Sequence, residues 1–408
     1  MSIATLNLGT FGCLAAMSIL ACVLFSMTGC AAAPEITRNK LLPPGPGNPR
    51  NSEGDFIELK DGRILLVYTH FTGSNDDTGA AHLASRVSSD GGKTWSDKDD
   101  LVVPNEGAAG NGNVMSNSLL RLQDGRIALF YVRYMWAPKT KFGNWGGFDC
   151  RPFMRISTDE ARTWSPPREC LPDKEIACNV LNNSRVVQLK SGRLVMPIAR
   201  HDYDNPTTAD NFNHQPKTSC WLSDDCGQTW HQSKTVLTGK KGPGHEHDVA
   251  LQEPGVVELK DGRLMMFCRT HIDLAFISFS SDQGETWSLD VPMPGIRAAL
   301  AAPAIKRIPK TGDLLMVWDD HSMVTSTTHP YYGKRTPFTV GISRDEGKTW
   351  EKVKNIEDDV EGWYCYVAIA FVGDHVLLSH CAGKCYPDKN LGLDTTQITR
   401  FNLAWLYK

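Results

Sequence analysis

Apolar residues along this chain fall in short runs, and six of those runs are entered through a polar turn built on glycine. The turns are Lys60-Asp61-Gly62-Arg63-Ile64, Gln123-Asp124-Gly125-Arg126-Ile127, Lys190-Ser191-Gly192-Arg193-Leu194, Lys260-Asp261-Gly262-Arg263-Leu264, Lys310-Thr311-Gly312-Asp313-Leu314 and Val372-Gly373-Asp374-His375-Val376. An apolar segment precedes each glycine and another follows it, for example Ile64 to Thr69 or Leu264 to Cys268, which predicts a β-hairpin at each. No long stripe of period 3.6 competes with this pattern, so the chain reads as many short strands joined by turns.

A second repeat is interleaved with the first. The octapeptide Ser-x-Asp-x-Gly-x-Thr-Trp occurs at Ser88 to Trp95, Ser157 to Trp164 (with Ala161 in the glycine place), Ser223 to Trp230, Ser280 to Trp287 and Ser343 to Trp350. Its aspartates, 90, 159, 225, 282 and 345, are spaced by 69, 66, 57 and 63 residues. In such a box the Asp accepts N–H groups of a tight turn, the Gly takes positive φ, and the Trp enters the core. The role is structural, because the box holds no acid and base partners. Six hairpins and five boxes predict an all-β fold, a six-bladed β-propeller of four-stranded antiparallel blades over 43–408, its last blade completed by Ile398 to Leu406.

Composition narrows the function. The 408 residues are 41% hydrophobic and 22% charged, enough for a full core. Lys and Arg number 43 against 46 Asp and Glu, and no basic run is present, which argues against nucleic acid as a partner. Near the start, an apolar stretch from Phe11 to Met27 leads into Met27-Thr28-Gly29-Cys30 and then a polar, Pro-rich segment. This resembles a lipoprotein signal with a lipid anchor at Cys30; plain secretion or an uncleaved anchor are the alternatives, and all three export the protein. The expected organisation is a signal at 1–30, a linker at 31–42 and the propeller. Nine cysteines follow Cys30, an odd number with no zinc-like spacing, so buried thiols with at most a disulfide or two are expected.

The inner strands of propeller blades share one central pocket, so repeat register points to a site. Nine residues before the hairpin glycines stand Glu53, Ser116, Asn183, Glu253, Pro303 and Tyr364; seven after them stand Thr69, Val132, Ala199, Arg269, Asp319 and His380. Glu253 and Tyr364 thus take equivalent places, with Arg269 across the hairpin from Glu253. Singly these would be a solvated Glu, a core Tyr and a surface Arg; together they suggest a site.

With these residues in place, the whole mature chain resembles the exo-α-sialidase (neuraminidase) superfamily, the Asp-box or BNR propellers similar to glycoside hydrolase family 33. The resemblance implies three arginines around a substrate carboxylate: Arg50 in Asn48-Pro49-Arg50-Asn51, Arg269, and Arg335 in Lys334-Arg335-Thr336-Pro337. Guanidinium groups suit that task because they bind carboxylates bidentately. It implies a tyrosine nucleophile in the sixth blade, Tyr364 with Tyr366 as rival, activated by Glu253. A neutral phenol can approach an anomeric carbon that bears a carboxylate, where an anionic nucleophile would be repelled. The general acid is implied on the loop from Phe71 to Gly79, where Asp76 and Asp77 both remain open and a plain polar turn is the alternative. Asn117, Asn183, Arg200, His201, His271, Asp319 and His321 stand at rim positions suited to ligand contact or loop structure alike. His245-Glu246-His247-Asp248 lacks the helical spacing of a zinc motif, so no metal and no cofactor is expected. The implied reaction releases a terminal sialic acid, or a related acid such as Kdn or Kdo, from glycoconjugates. A non-catalytic carbohydrate-binding propeller and a polysaccharide lyase are the rival readings.

Overall fold

The computed structural model describes residues 36–106, 112–137, 147–205, 207–208, 211–239, 248–386 and 389–408, together with Met1. The expected signal, Cys30 and the segment 245–247 lie outside them. The described strands belong to a single compact unit, Glu35–Lys408.

The chain enters with β1 (Ile36–Leu42). A first antiparallel sheet follows in meander order from β2 (Arg50–Glu58), β3 (Ile64–Phe71), β4 (Ala81–Ser88) and β5 (Asp100–Val103). Next come β6 (Gly112–Arg121), β7 (Ile127–Ala137), β8 (Gly147–Ser157) and β9 (Arg168–Glu169), then β10 (Cys178–Val180), β11 (Val187–Gln188), β12 (Leu194–His201), β13 (Lys217–Ser223) and β14 (His231–Gln232). These nine form one sheet only because β10, paired antiparallel to β12, also makes a single parallel pairing with β8, Cys178 to Cys150. Two more four-stranded meanders are β15 (Gln252–Glu258), β16 (Leu264–Arg269), β17 (Leu274–Ser280), β18 (Val291–Arg297), and β19 (Ala304–Arg307), β20 (Leu314–Asp319), β21 (Phe338–Ser343), β22 (Glu351–Glu357). The last sheet contains β23 (Gly362–Val372), β24 (His375–Tyr386), β25 (Lys389–Leu391) and β26 (Thr396–Asn402), and a short helix α1 (Leu403–Tyr407) ends the chain.

Two expectations need correction. Ile36–Leu42, assigned to a linker, is the strand that pairs with β26 and completes the last sheet. Ile398 to Leu406 is not one strand, since β26 stops at Asn402, whose side chain caps α1 by accepting the Ala404 N–H at 2.8 Å. An outer strand drawn from the other end of the chain joins the two ends in one hydrogen-bonded sheet.

Several hydrophobic clusters are shared by two sheets. Leu129 and Tyr131 pack with Val67 and Leu83, Met266 with Leu222, Trp318 with Met265, and Phe338 with Leu378. Phe56, Leu66 and Tyr68 of the first sheet pack with Ala368, Leu377 and Ile398 of the last, so the succession of contacts returns to its start. Burying a Leu or Phe in such a layer contributes about 1.5–3 kcal/mol. The octapeptides make the predicted turns. In the third, Asp225 accepts the N–H groups of Gln228 and Thr229 and the Thr229 hydroxyl, while Ser223 Oγ accepts the Gly227 N–H. Gly227 has φ +84°, and Ala161 in the second box is forced to +62°.

One irregularity of the inner strands positions everything that follows. β2, β6, β15 and β23 each carry a register shift, at Ser52/Asp55, Met115/Ser118, Gln252/Gly255 and Cys365/Ala368. Within each shift one residue has positive φ: Glu53 (56°), Ser116 (57°), Glu253 (48°) and Tyr366 (56°). Such bulges re-aim a side chain out of the ladder, and left-handed φ at residues with a Cβ is strain that surrounding structure must hold.

Candidate active site

The bulges aim their side chains into one cavity of about 260 Å³. It is lined by Glu53, Ser116, Glu253 and Tyr366 from the bulges, with Gln252 and Arg269 from β15 and β16. Asp77 enters from the loop after β3; Met115, Tyr134, Cys178, Val180, Asn182, His201, Phe212 and His214 complete the wall.

The structure separates the two tyrosines. Tyr366 lines the cavity, and its phenol is held well above its ordinary pKa by burial and then by the Glu253 carboxylate, with Arg335 and Arg269 acting the other way. Tyr364 points into the core between the last two sheets, 5.6 Å from the Phe338 ring and 6.1 Å from His380. The glycine count was out by two here for a definite reason. Gly62 and Gly262 follow Glu53 and Glu253 by nine residues, but β23 and β24 meet through a two-residue turn, Val372 pairing directly with His375, so Gly373 follows Tyr366 by only seven.

Two of the arginines are engaged by carboxylates of the cavity and the third by aromatic rings. Arg269 donates from Nη1 to Glu253 at 2.9 Å and from Nη2 to Gln252 at 2.6 Å. Arg50, fully buried, donates to Asp77 at 2.6 Å, to Glu53 at 3.1 Å, and to the Asn75 carbonyl and Ser52 hydroxyl. Arg335 lies over the Tyr366 ring at 5.5 Å and the Trp363 ring at 5.0 Å, and its buried Nη1 has no hydrogen-bond partner among the described residues. Of the two aspartates, Asp77 reaches the cavity, while Asp76 is exposed, its carboxylate accepting from the Ser74 hydroxyl at 3.4 Å. Asn113 holds this loop by donating to the Asp77 and Gly79 carbonyls at 2.6 and 2.9 Å.

Glu53 is the chief residue that sequence reasoning passed over. Repeat register had set it beside Glu253, which was the available signal. Burial pushes its carboxyl up to about 8 despite Arg50, so it carries a proton at neutral pH. Gln252 was adjacent to a recognised residue. Tyr134, Cys178, Asn182, Phe212 and His214 gave no local signal, since only the folded sheet ends bring them together.

The remaining rim candidates divide. His201 lines the cavity, stacked 4.9 Å from Phe212, with Nδ1 2.8 Å from the Asn213 carbonyl. Asn183 is a brace, its amide donating to the Gly54 carbonyl at 2.8 Å and the Tyr366 carbonyl at 3.0 Å. Asn117 is fully buried, away from the cavity wall, and its side-chain amide has no partner among the described residues. Arg200 is engaged by Asp173, Glu175 and Asp202. His271 is exposed and accepts the Ala250 N–H at 3.4 Å. Asp319 is buried near Arg335 and Cys365, and His321 lies 3.1 Å from the Lys334 carbonyl, both outside the cavity.

Antiparallel four-stranded sheets that pack in succession around inner strands, with a polar cavity at the strand bulges, define a β-propeller-like architecture. The model of the BNR repeat-like domain matches residues 71–377, and the chain belongs to that family, within the exo-α-sialidase superfamily. A sialidase of Micromonospora viridifaciens is 24% identical over 380 residues, covering 87% of this chain and 50% of that protein. The chain spans about half the length of the curated relatives it matches. In fold it is similar to a protein of unknown function from Dyadobacter fermentans (TM-score 0.68, 18% identity, 91% of this chain and 100% of that one). It is also similar to the K499G mutant of NanB sialidase from Streptococcus pneumoniae (TM-score 0.65, 14% identity, 89% and 70%).

Proposed function

We propose that this chain is a six-bladed propeller enzyme, a retaining exo-α-sialidase that releases a terminal sialic acid or a related 2-keto-3-deoxy acid from glycans through a tyrosyl intermediate. The observation that carries the reading is the meeting of Tyr366, Glu253, Arg269 and Asp77 around one cavity, with Arg50 and Arg335 directly behind them. In this reading Arg50, Arg269 and Arg335 take the sugar carboxylate. Arg335 has a buried N–H to give, and Arg50 now gives Asp77 the bond that the substrate carboxylate would take over. Asp77, so released, protonates the departing glycosidic oxygen, while Glu253 takes the phenolic proton and Tyr366 Oη bonds to the anomeric carbon. Water then attacks that carbon and gives its proton to the Asp77 carboxylate, the carbon–phenol bond breaks, and Glu253 returns the proton to the phenolate. The leader belongs to the same reading: the protein is exported and held at the cell envelope through Cys30.

The test is hydrolysis of 4-methylumbelliferyl glycosides of sialic acid, Kdn and Kdo by the wild type, Tyr366→Phe and Tyr364→Phe. Turnover is expected to vanish in Tyr366→Phe and persist in Tyr364→Phe. No release from any glycoside by the wild type would reject the hydrolase reading in favour of a non-catalytic binding propeller.

A further inference from the structure

Two cysteines meet where β10 bridges the second and third hairpin sheets. Cys150 of β8 and Cys178 of β10 are the sole register partners in the parallel pairing of those strands, and their sulfur atoms are 3.1 Å apart. Neighbouring strands run about 4.8 Å apart, inside the Cα separation of about 4.4–6.8 Å that a disulfide spans. Only about 1 Å of sulfur movement separates this contact from a bond, within reach of side-chain rotation. The environments differ usefully. Cys178 lines the cavity, whereas Cys150 is completely buried.

We infer that Cys150 and Cys178 are a built site of covalent modification, an intramolecular disulfide that staples the seam between these two sheets at the cavity wall. The bond forms by exchange with a small-molecule disulfide that enters through the cavity. The Cys178 thiolate attacks one sulfur of the oxidant and expels a thiolate, leaving a mixed disulfide on Cys178. Cys150 then gives up its proton and attacks the Cys178 sulfur, and the second thiolate leaves. Two electrons pass from the cysteine pair to the oxidant, which departs as two thiols. Burial, and the neighbouring Cys178 sulfur, hold the Cys150 thiol well above its ordinary pKa; capping Cys178 removes the second of these obstacles. The bond would tie down Cys178, and with it the strand that carries Val180 and leads to Asn182, both on the cavity wall.

The experiment equilibrates the full chain with excess oxidised glutathione, then maps peptides without reduction and records thermal unfolding before and after reduction. The expected result is a Cys150–Cys178 linked peptide and a midpoint that falls by about 5 °C on reduction, as closure of the 28-residue separation implies. Cys150→Ser should instead retain glutathione on Cys178 and show no fall on reduction. Because the wild type alone gives the linkage, the inference stands or falls without any variant. Both thiols free or merely glutathionylated at equilibrium would overturn it. So would linkage confined to the other facing pair, Cys365 and Cys381.

Discussion

Asn183 offers the sharpest quantitative check on how the candidate nucleophile is held. Its amide spans from the third hairpin sheet to two bulges, those of Gly54 and Tyr366, and both hydrogen bonds are buried. Asn183→Ala deletes two neutral donors and leaves two carbonyl oxygens in a dry setting, at a cost of about 1–3 kcal/mol each. A total of about 2–6 kcal/mol is expected, measured as the change in urea unfolding free energy with unchanged slope. Because Tyr366 sits at φ +56°, the loss should also loosen the phenol, and a displacement of about 1 Å costs on the order of 100-fold in turnover. Asn183→Asp, though of the same shape, should be no better near pH 7, since a carboxylate would confront the same two oxygens; protonation in acid should recover part of the loss. An Asn183→Ala protein that unfolds at the wild-type midpoint would refute the brace. One that is less stable but turns over at the wild-type rate would refute its link to Tyr366.

Further outcomes follow from other groups. The carboxyl of Glu53 rises from 4.5 to about 8 on folding, so between those values the unfolded chain releases a proton that the native state keeps, and stability falls as pH rises. Glu53→Gln should flatten that slope, shrinking the difference in unfolding free energy between pH 5 and pH 8 by roughly 2–5 kcal/mol; an unchanged slope would show Glu53 ionised throughout. Arg335→Lys should raise KM for an acidic-sugar glycoside about 10- to 100-fold with a smaller effect on kcat, because a lysine cannot make the paired bonds of a guanidinium; an unaltered KM would remove Arg335 from substrate binding. Asp225→Ala should lower stability by about 1–2 kcal/mol through the lost turn bonds and leave turnover intact. The Asp225 carboxylate is held down to about 2 by the turn, against the effect of its small burial, so its contribution is present above the ordinary range and lost as pH falls through 2; solvent screening keeps it small. Wild-type stability in that variant would show the box to be dispensable.

What could be read from the residues alone was whatever depends on near neighbours. A turn such as Lys60-Asp61-Gly62-Arg63 or an octapeptide such as Ser223 to Trp230 closes its own hydrogen bonds within a few residues, so its type and its strands were legible. The Glu253 and Arg269 pair was legible for the same reason, both lying on one hairpin. Tyr366 was not singled out over Tyr364, because residues two apart share one face of a regular strand, and only the bulge at Tyr366 turns its side chain out of the ladder. Asp77 parted from Asp76 only when Arg50, buried under the same loop, claimed one carboxylate and left the other in solvent. The pairing of Ile36–Leu42 with β26, the bracing role of Asn183 and the contact of Cys150 with Cys178 all join residues far apart along the chain. No local rule favours such partners over other pairings; only the closed packing of the sheets brings them within bonding distance, and there burial makes an unpaired donor or charge costly enough to select the partner.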